Sequence, residues 1–141
     1  MPYLNRDQII ELIKKKWIYS NKNISNSQLQ PASLDLTLSN TCYRIKASFL
    51  PNKIKVSEII KDLSLNKINL SQNTLLEKNC IYLCELNEKL KLPKDIMGKS
   101  NPKSTTGRLD IFTRVITENG KEYDFVNYNY KGKLYLEIIP Q

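Results

Sequence analysis

The sequence predicts a mainly β domain of barrel or jelly-roll type with one short helix at its N-terminus. Three observations carry that expectation. Apolar and polar residues alternate at period two in several short runs, which is the pattern of half-buried strands. Only the first apolar segment repeats clearly at helical spacing. Strands and helices do not alternate in the βαβ manner that builds a parallel sheet. At 141 residues the length fits a single domain, residues 1–141, able to bury a core. No internal repeat is visible.

Taken in order, Asn5 is placed to cap a helix whose apolar positions Ile9, Ile10, Leu12 and Ile13 share a face, with Lys14-Lys15-Lys16 at its end. Residues 20–28 are rich in Ser and Asn and read as loop. Leu34, Leu36 and Leu38 alternate with Asp35 and Thr37 as a strand. Ser39-Asn40 reads as a turn into a second strand, Cys42 to Ile45, so a hairpin is expected. Ile54, Val56, Ile59, Ile60 and Leu63 fit a short helix better than a strand. Ile68 and Leu70 suggest a brief strand, Cys80 to Leu86 a strong one, and another is expected near Ile96. Leu109, Ile111, Thr113 and Val115 lie on one face of a central strand. Glu118-Asn119-Gly120-Lys121 carries the Asn-Gly pair of a hairpin turn. Asp124 to Val126 and Leu134 to Ile139 complete the strands. The sequence stops at Pro140-Gln141 straight after an apolar strand, which reads as a chain truncated at its C-terminus.

Composition excludes several kinds of chemistry. There is no histidine, so Ser-His and Cys-His catalysis and His-ligated metals are out of reach. Cys42, Cys80 and Cys84 make an odd count without a signal peptide, pointing to a reducing cytoplasm. Cys80 and Cys84 sit in an apolar run and read as core or strand-face thiols. No run reaches membrane-spanning length. The net charge of +8 suits a polyanionic ligand such as a nucleoside triphosphate. The same charge follows from a bias toward Lys, Asn and Ile, so it argues little for nucleic acid. The eight tyrosines are scattered and form no RNA-binding motif. Arginine occurs only at positions 6, 44, 108 and 114. Two of them fall in the central stretch of a chain that otherwise uses lysine, which suggests a geometric role for a bidentate guanidinium, Arg108 above all.

That stretch, Met97 to Thr117, is where the chemistry concentrates. Lys103-Ser104-Thr105-Thr106-Gly107-Arg108 puts hydroxyls and two cations at a turn, the donor set a phosphate requires. An ordinary polar turn would show the same composition. Gly98-Lys99-Ser100 is not a P-loop: Pro93 stands where its first glycine belongs, and Pro102 stands where its helix should start.

Three segments in order resemble the deoxycytidine triphosphate deaminases of the dUTPase-like superfamily, in their long-chain bacterial form. They are Gln30-Pro31-Ala32-Ser33-Leu34-Asp35-Leu36, Asn101 to Asp110, and Tyr130-Lys131-Gly132-Lys133-Leu134-Tyr135-Leu136-Glu137. The resemblance extends over nearly the whole chain, including the opening helix and Tyr43 to Pro51. It implies a dUTPase-like distorted β-barrel and a homotrimer with sites at subunit interfaces. It also implies hydrolysis of dCTP to dUTP and ammonia, with magnesium bound through the triphosphate and no zinc. By position, Lys103, Ser104 and Thr105 would hold phosphate oxygens, and Thr106, Gly107, Asn127, Tyr135 and Leu136 would complete the substrate site. Arg108 would sit by the reacting base and its water, with Glu137 as general base and proton shuttle. The chain departs from the family pattern in carrying Asn127 where many relatives have aspartate, and Lys103 in place of arginine. The family's C-terminal part, which closes over the triphosphate, and the second half of its long-chain members are missing from this sequence.

Deamination asks one carboxylate to take a proton from water and deliver protons to the pyrimidine, which burial among apolar groups can promote. Glu137 lies in Leu134-Tyr135-Leu136-Glu137-Ile138-Ile139. Alternation alone allows two readings, a solvent-facing Glu paired with Lys133 or a buried base. Asp35 reads as a structural strand residue, and Asp110 as an ion-pair partner for Arg108 or Arg114. Two other readings remain: a non-catalytic nucleotide-binding remnant of such an enzyme, and a dUTP pyrophosphatase of the same fold.

Overall fold

The computed structural model describes residues 2–141. Its elements are α1 (Arg6–Lys14), β1 (Ile18–Ser20), β2 (Leu38–Ile45), α2 (Val56–Leu63), β3 (Ser64–Asn69), β4 (Ile81–Lys91), β5 (Gly98–Lys99), α3 (Ser104–Arg108), β6 (Ile111–Thr117), β7 (Phe125–Val126) and β8 (Lys131–Pro140). A short 3₁₀ turn, Asn26–Gln28, lies between β1 and β2.

The local rules expected of α1 are met at both ends. The Asn5 side chain accepts from the Gln8 amide while the Gln8 side chain accepts from the Asn5 amide, a reciprocal cap. At the other end Lys16 adopts a left-handed φ of 59°. The amides of Lys16 and Trp17 bond back to the carbonyls of Ile13 and Leu12, the Schellman arrangement.

One antiparallel sheet in the order β3-β2-β4-β8-β6 organises the molecule, with β1 paired to the far end of β4. A separate ribbon joins β5 and β7. On one face of β8, Leu134 and Leu136 pack with Ile9, Leu12, Leu86 and Leu90, and Ile138 packs with Cys42, Tyr82 and Cys84. On the other face Tyr135 packs with Leu83, Ile116, Ile45 and the inner residues of α2, Val56 and Ile60. Both faces of the central strands are therefore buried.

Several local expectations are corrected. No hairpin turns at Ser39-Asn40: β2 continues through them, with the Asn40 carbonyl accepting from the Leu70 amide and a shift in the register with β4 between Leu38 and Cys42. Leu34 instead makes an isolated bridge to Leu29. β4 extends past Leu86 to Lys91, and Ile18–Ser20, partly read as loop, pairs with that extension. The polar triplet Asn87-Glu88-Lys89 stays in the strand because its buried members are satisfied. Glu88, 1% exposed, accepts from the Thr37 amide and hydroxyl at 2.7 Å each and from Gln28 Nε2 at 3.1 Å. The strand expected near Ile96 is Gly98–Lys99.

The turn at Asn119-Gly120 exists. Gly120 donates to the Thr117 carbonyl, and a Cβ there would lie 2.6 Å from Thr117 Oγ1, which keeps the position glycine. The chain does not return as a tight hairpin, however, since β7 leaves to pair with β5. The central strand begins at Ile111 instead of Leu109. Leu109 caps α3 and is 70% exposed, and Asp110 turns the chain with a φ of 54°.

Candidate active site

Glu137 lies near the middle of β8, opposite Leu83 of β4 on one side and Arg114 of β6 on the other. Directly paired residues share a face, so the carboxylate sits on the Leu83–Ile116–Tyr135 face of the sheet. Its side chain has no exposure to solvent. Lys133, the alternative partner, reaches Glu85 at 3.7 Å instead, so the solvent-facing reading of Glu137 is set aside.

Arg114 Nε donates to Glu137 Oε1 at 2.6 Å, an ion pair and a charge-assisted hydrogen bond together. The other carboxylate oxygen, Oε2, is buried and has no hydrogen-bond partner among the described residues. Native structures seldom leave such a group unsatisfied. Glu88, comparably buried, has both oxygens occupied. The contrast marks Glu137 as the carboxylate with capacity to spare.

The guanidinium is held on its own side by aromatic rings. Its central carbon lies 3.6 Å from the Tyr123 ring centroid and 5.3 Å from that of Phe112. Tyr123 is fixed in turn, its hydroxyl donating to the Phe49 carbonyl at 3.0 Å. The next residue, Asp124, accepts from the Val115 amide at 2.7 Å and from the Ser100 hydroxyl at 2.9 Å through one oxygen. That carboxylate ties the loop carrying Tyr123 both to β6 and to the segment entering α3.

The Lys103 to Arg108 segment, expected as a polar turn, forms the five-residue helix α3, with no buried side chain. It packs against β6 and leads into it. Among the described residues the hydroxyls of Ser104, Thr105 and Thr106 make no hydrogen bond, and the Arg108 guanidinium forms no ion pair. Lys103 bridges to Asp35 at 2.8 Å, and Gln30 Nε2 also binds that aspartate, at 3.1 Å. Asp35 is thus a structural residue that holds the loop's first cation. Gly107 has an ordinary φ, and a Cβ there would meet nothing within 4 Å, so nothing inside the chain requires glycine. Asp110 pairs with neither Arg108 nor Arg114: Arg114 belongs to Glu137, and Arg108 forms no ion pair among the described residues.

The remaining expected site residues lie apart. Asn127 is exposed just after β7. Leu136 is half-buried on the opposite face of β8 from Glu137. The Tyr135 side chain is 2% exposed, and its hydroxyl donates to Glu118 Oε1 at 2.8 Å. Burial, and secondarily that hydrogen bond, push its phenol far above the usual range. Arg114 and Tyr123 were missed in the sequence. A signal existed for Arg114: alternation puts it on the inward face with Ile116, an unusual place for a lone cation.

Among the described residues no group of three or more His, Cys, Asp and Glu side chains could hold a metal. A search of curated proteins returned no match. Among solved structures the fold is similar to the crystal structure of 2'-deoxycytidine 5'-triphosphate deaminase from Agrobacterium tumefaciens, with a TM-score of 0.94 and 43% sequence identity over 98% of this chain. The chain spans 41% of the length of that protein. Residues 2–141 match the model of the 2'-deoxycytidine 5'-triphosphate deaminase N-terminal domain. The chain therefore belongs to the family of deoxycytidine triphosphate deaminase N-terminal domains.

Proposed function

We propose that this chain carries the triphosphate-binding and proton-transfer groups of a dCTP deaminase, which hydrolyses dCTP to dUTP and ammonia. The observation that carries the reading is Glu137, wholly buried with one oxygen held by Arg114 and the other unpartnered. The family membership supplies the substrate.

In the proposed reaction Glu137 accepts a proton from water as its oxygen bonds to C4 of the pyrimidine, and returns that proton to N3. The new C4 hydroxyl then gives its proton, through the same carboxylate, to the amino group. The C4–N bond breaks, the carbonyl forms and ammonia leaves. Arg108 stands by the base and the water, while Lys103, Ser104 and Thr105 take phosphate oxygens, with Thr106 and Gly107 allowing close approach. The open space at Gly107 and the unengaged hydroxyls of α3 support this assignment. Asn127 faces the sugar, and β8 contributes through its backbone around Tyr135 and Leu136, whose side chains pack in the core. Magnesium rides on the triphosphate.

The exposed position of α3 suits a site completed by another subunit, and we place the protein in a homotrimer. Three free cysteines fit a reducing cytoplasm. Neither nucleic acid nor a membrane enters the proposal, and no helix among the described residues is long and apolar enough to span a bilayer. The test is incubation with dCTP and magnesium under zinc chelation, following dUTP and ammonia together. Their stoichiometric appearance supports a deaminase. Pyrophosphate from dUTP would indicate a pyrophosphatase, and binding without turnover a nucleotide-binding remnant.

A further inference from the structure

We infer that Arg114 is the positioning residue for Glu137: it fixes one carboxylate oxygen and so dictates that the other, Oε2, performs the proton transfers. This rests on the reading of Glu137 as the base. A base working in a buried site needs a third group to orient it. Histidine bases commonly find that group in a carboxylate; here the roles are inverted, and a cation orients a carboxylate.

The geometry supplies what orientation requires. Arg114 and Glu137 are directly opposed in register on β6 and β8, so the backbone ladder fixes their separation. The guanidinium reaches Oε1 through Nε at 2.6 Å. Its plane cannot swing away freely, because the Tyr123 ring lies against it at 3.6 Å. Tyr123 is held by Phe49 through its hydroxyl and by the double anchorage of Asp124 to Val115 and Ser100. The line of contacts therefore runs from Ser100, at the entry to the α3 loop, through Asp124, Tyr123 and Arg114 to Glu137. The segment that offers donors to the nucleotide and the carboxylate that moves protons share one support.

Lysine could supply the charge but not this arrangement. An ammonium is a point donor on a flexible stem, without the planar face that stacks on Tyr123. A misplacement of about 1 Å in a reacting group can cost on the order of 10²-fold in rate.

The experiment compares Arg114→Lys and Arg114→Ala with the parent in the full chain, with melting curves taken on each. The expected result is a fall of about 10²-fold in kcat for Arg114→Lys, with KM for dCTP changed by less than about three-fold. In Arg114→Ala, millimolar guanidinium ion should restore at least about ten-fold of the lost kcat by occupying the Tyr123 stack, whereas equimolar ammonium should not. Parental kcat in a folded Arg114→Lys would overturn the inference. So would a loss in Arg114→Ala that tracks unfolding and that guanidinium leaves unchanged. Glu137→Gln separates the two levels. If it keeps turnover, the reading of Glu137 as base fails; if it loses turnover while Arg114→Lys does not, only the positioning role fails.

Discussion

Replacing Arg114 by Met isolates the energetic consequence of the buried pair. Glu137 has no exposure to bulk solvent and Arg114 only 23%, so removing the cation strands a buried carboxylate without its counter-charge. Breaking a buried pair from one side costs about 3–5 kcal/mol. For 141 residues the unfolding entropy is about 0.3 kcal/mol per kelvin near 60 °C, so that loss lowers Tm by about 10–17 °C. The chain contains its own control. Lys14 and Glu11 form a pair at 3.5 Å with side chains 69% and 58% exposed, and Lys14→Ala should cost no more than about 1 kcal/mol, or roughly 3 °C. Substituting both members of the buried pair, Arg114→Met with Glu137→Leu, should recover most of the stability, because neither charge is then left alone. Thermal unfolding followed by circular dichroism reads all of these. Equal shifts for Arg114→Met and Lys14→Ala would refute the reasoning, as would a double variant no more stable than Arg114→Met.

Three further outcomes are expected. Gly107→Ala should raise stability by up to about 1 kcal/mol, since it removes backbone entropy and meets no neighbour, yet weaken nucleotide binding; calorimetry with dCTP and magnesium alongside a melt separates the two effects. Lys103→Ala with Ser104→Ala should abolish heat of binding for dCTP while leaving the melt within a few degrees of the parent, and unchanged binding would remove α3 from the site. Burial pushes the Tyr130 phenol up to about 12, and its hydroxyl accepts from the Glu118 amide and donates to the Lys133 carbonyl. Because the unfolded tyrosine ionises near pH 10 while the folded one retains its proton, stability is complete below pH 10 and falls as pH rises toward 12. Tyr130→Phe should flatten that decline in alkaline melts.

The elements that local chemistry dictates were legible. Asn5 announces the cap of α1, and the spacing of Val56, Ile60 and Leu63 gives α2. What could not be read is what tertiary partners decide. The strand read from Cys80 stops at Leu86 because nothing nearby in sequence satisfies Glu88; Thr37 and Gln28 do so across more than fifty positions. Ser39-Asn40 reads as a turn, and only the distant Leu70 amide, bonded to the Asn40 carbonyl, shows that β2 continues through it. In the site, the hydroxyl-rich run and Glu137 stood out through motif resemblance, whereas alternation alone allowed Glu137 to face solvent. Its partner was invisible because register between β6 and β8 sets the Arg114 contact. The inward phase of Arg114 with Ile116 was the available hint.

The central claim is that Glu137 moves the protons of deamination, and Glu137→Gln tests it most directly. The substitution keeps shape and can still accept the Arg114 hydrogen bond, but it cannot take a proton from water. General acid–base catalysis is worth about 10²–10⁴-fold, so production of dUTP and ammonia from dCTP should fall by about that factor or more. Affinity for dCTP should change far less, because the triphosphate is assigned to α3. A Glu137→Gln variant that binds dCTP and turns it over near the parental rate would contradict the account and return Glu137 to a purely structural place in β8.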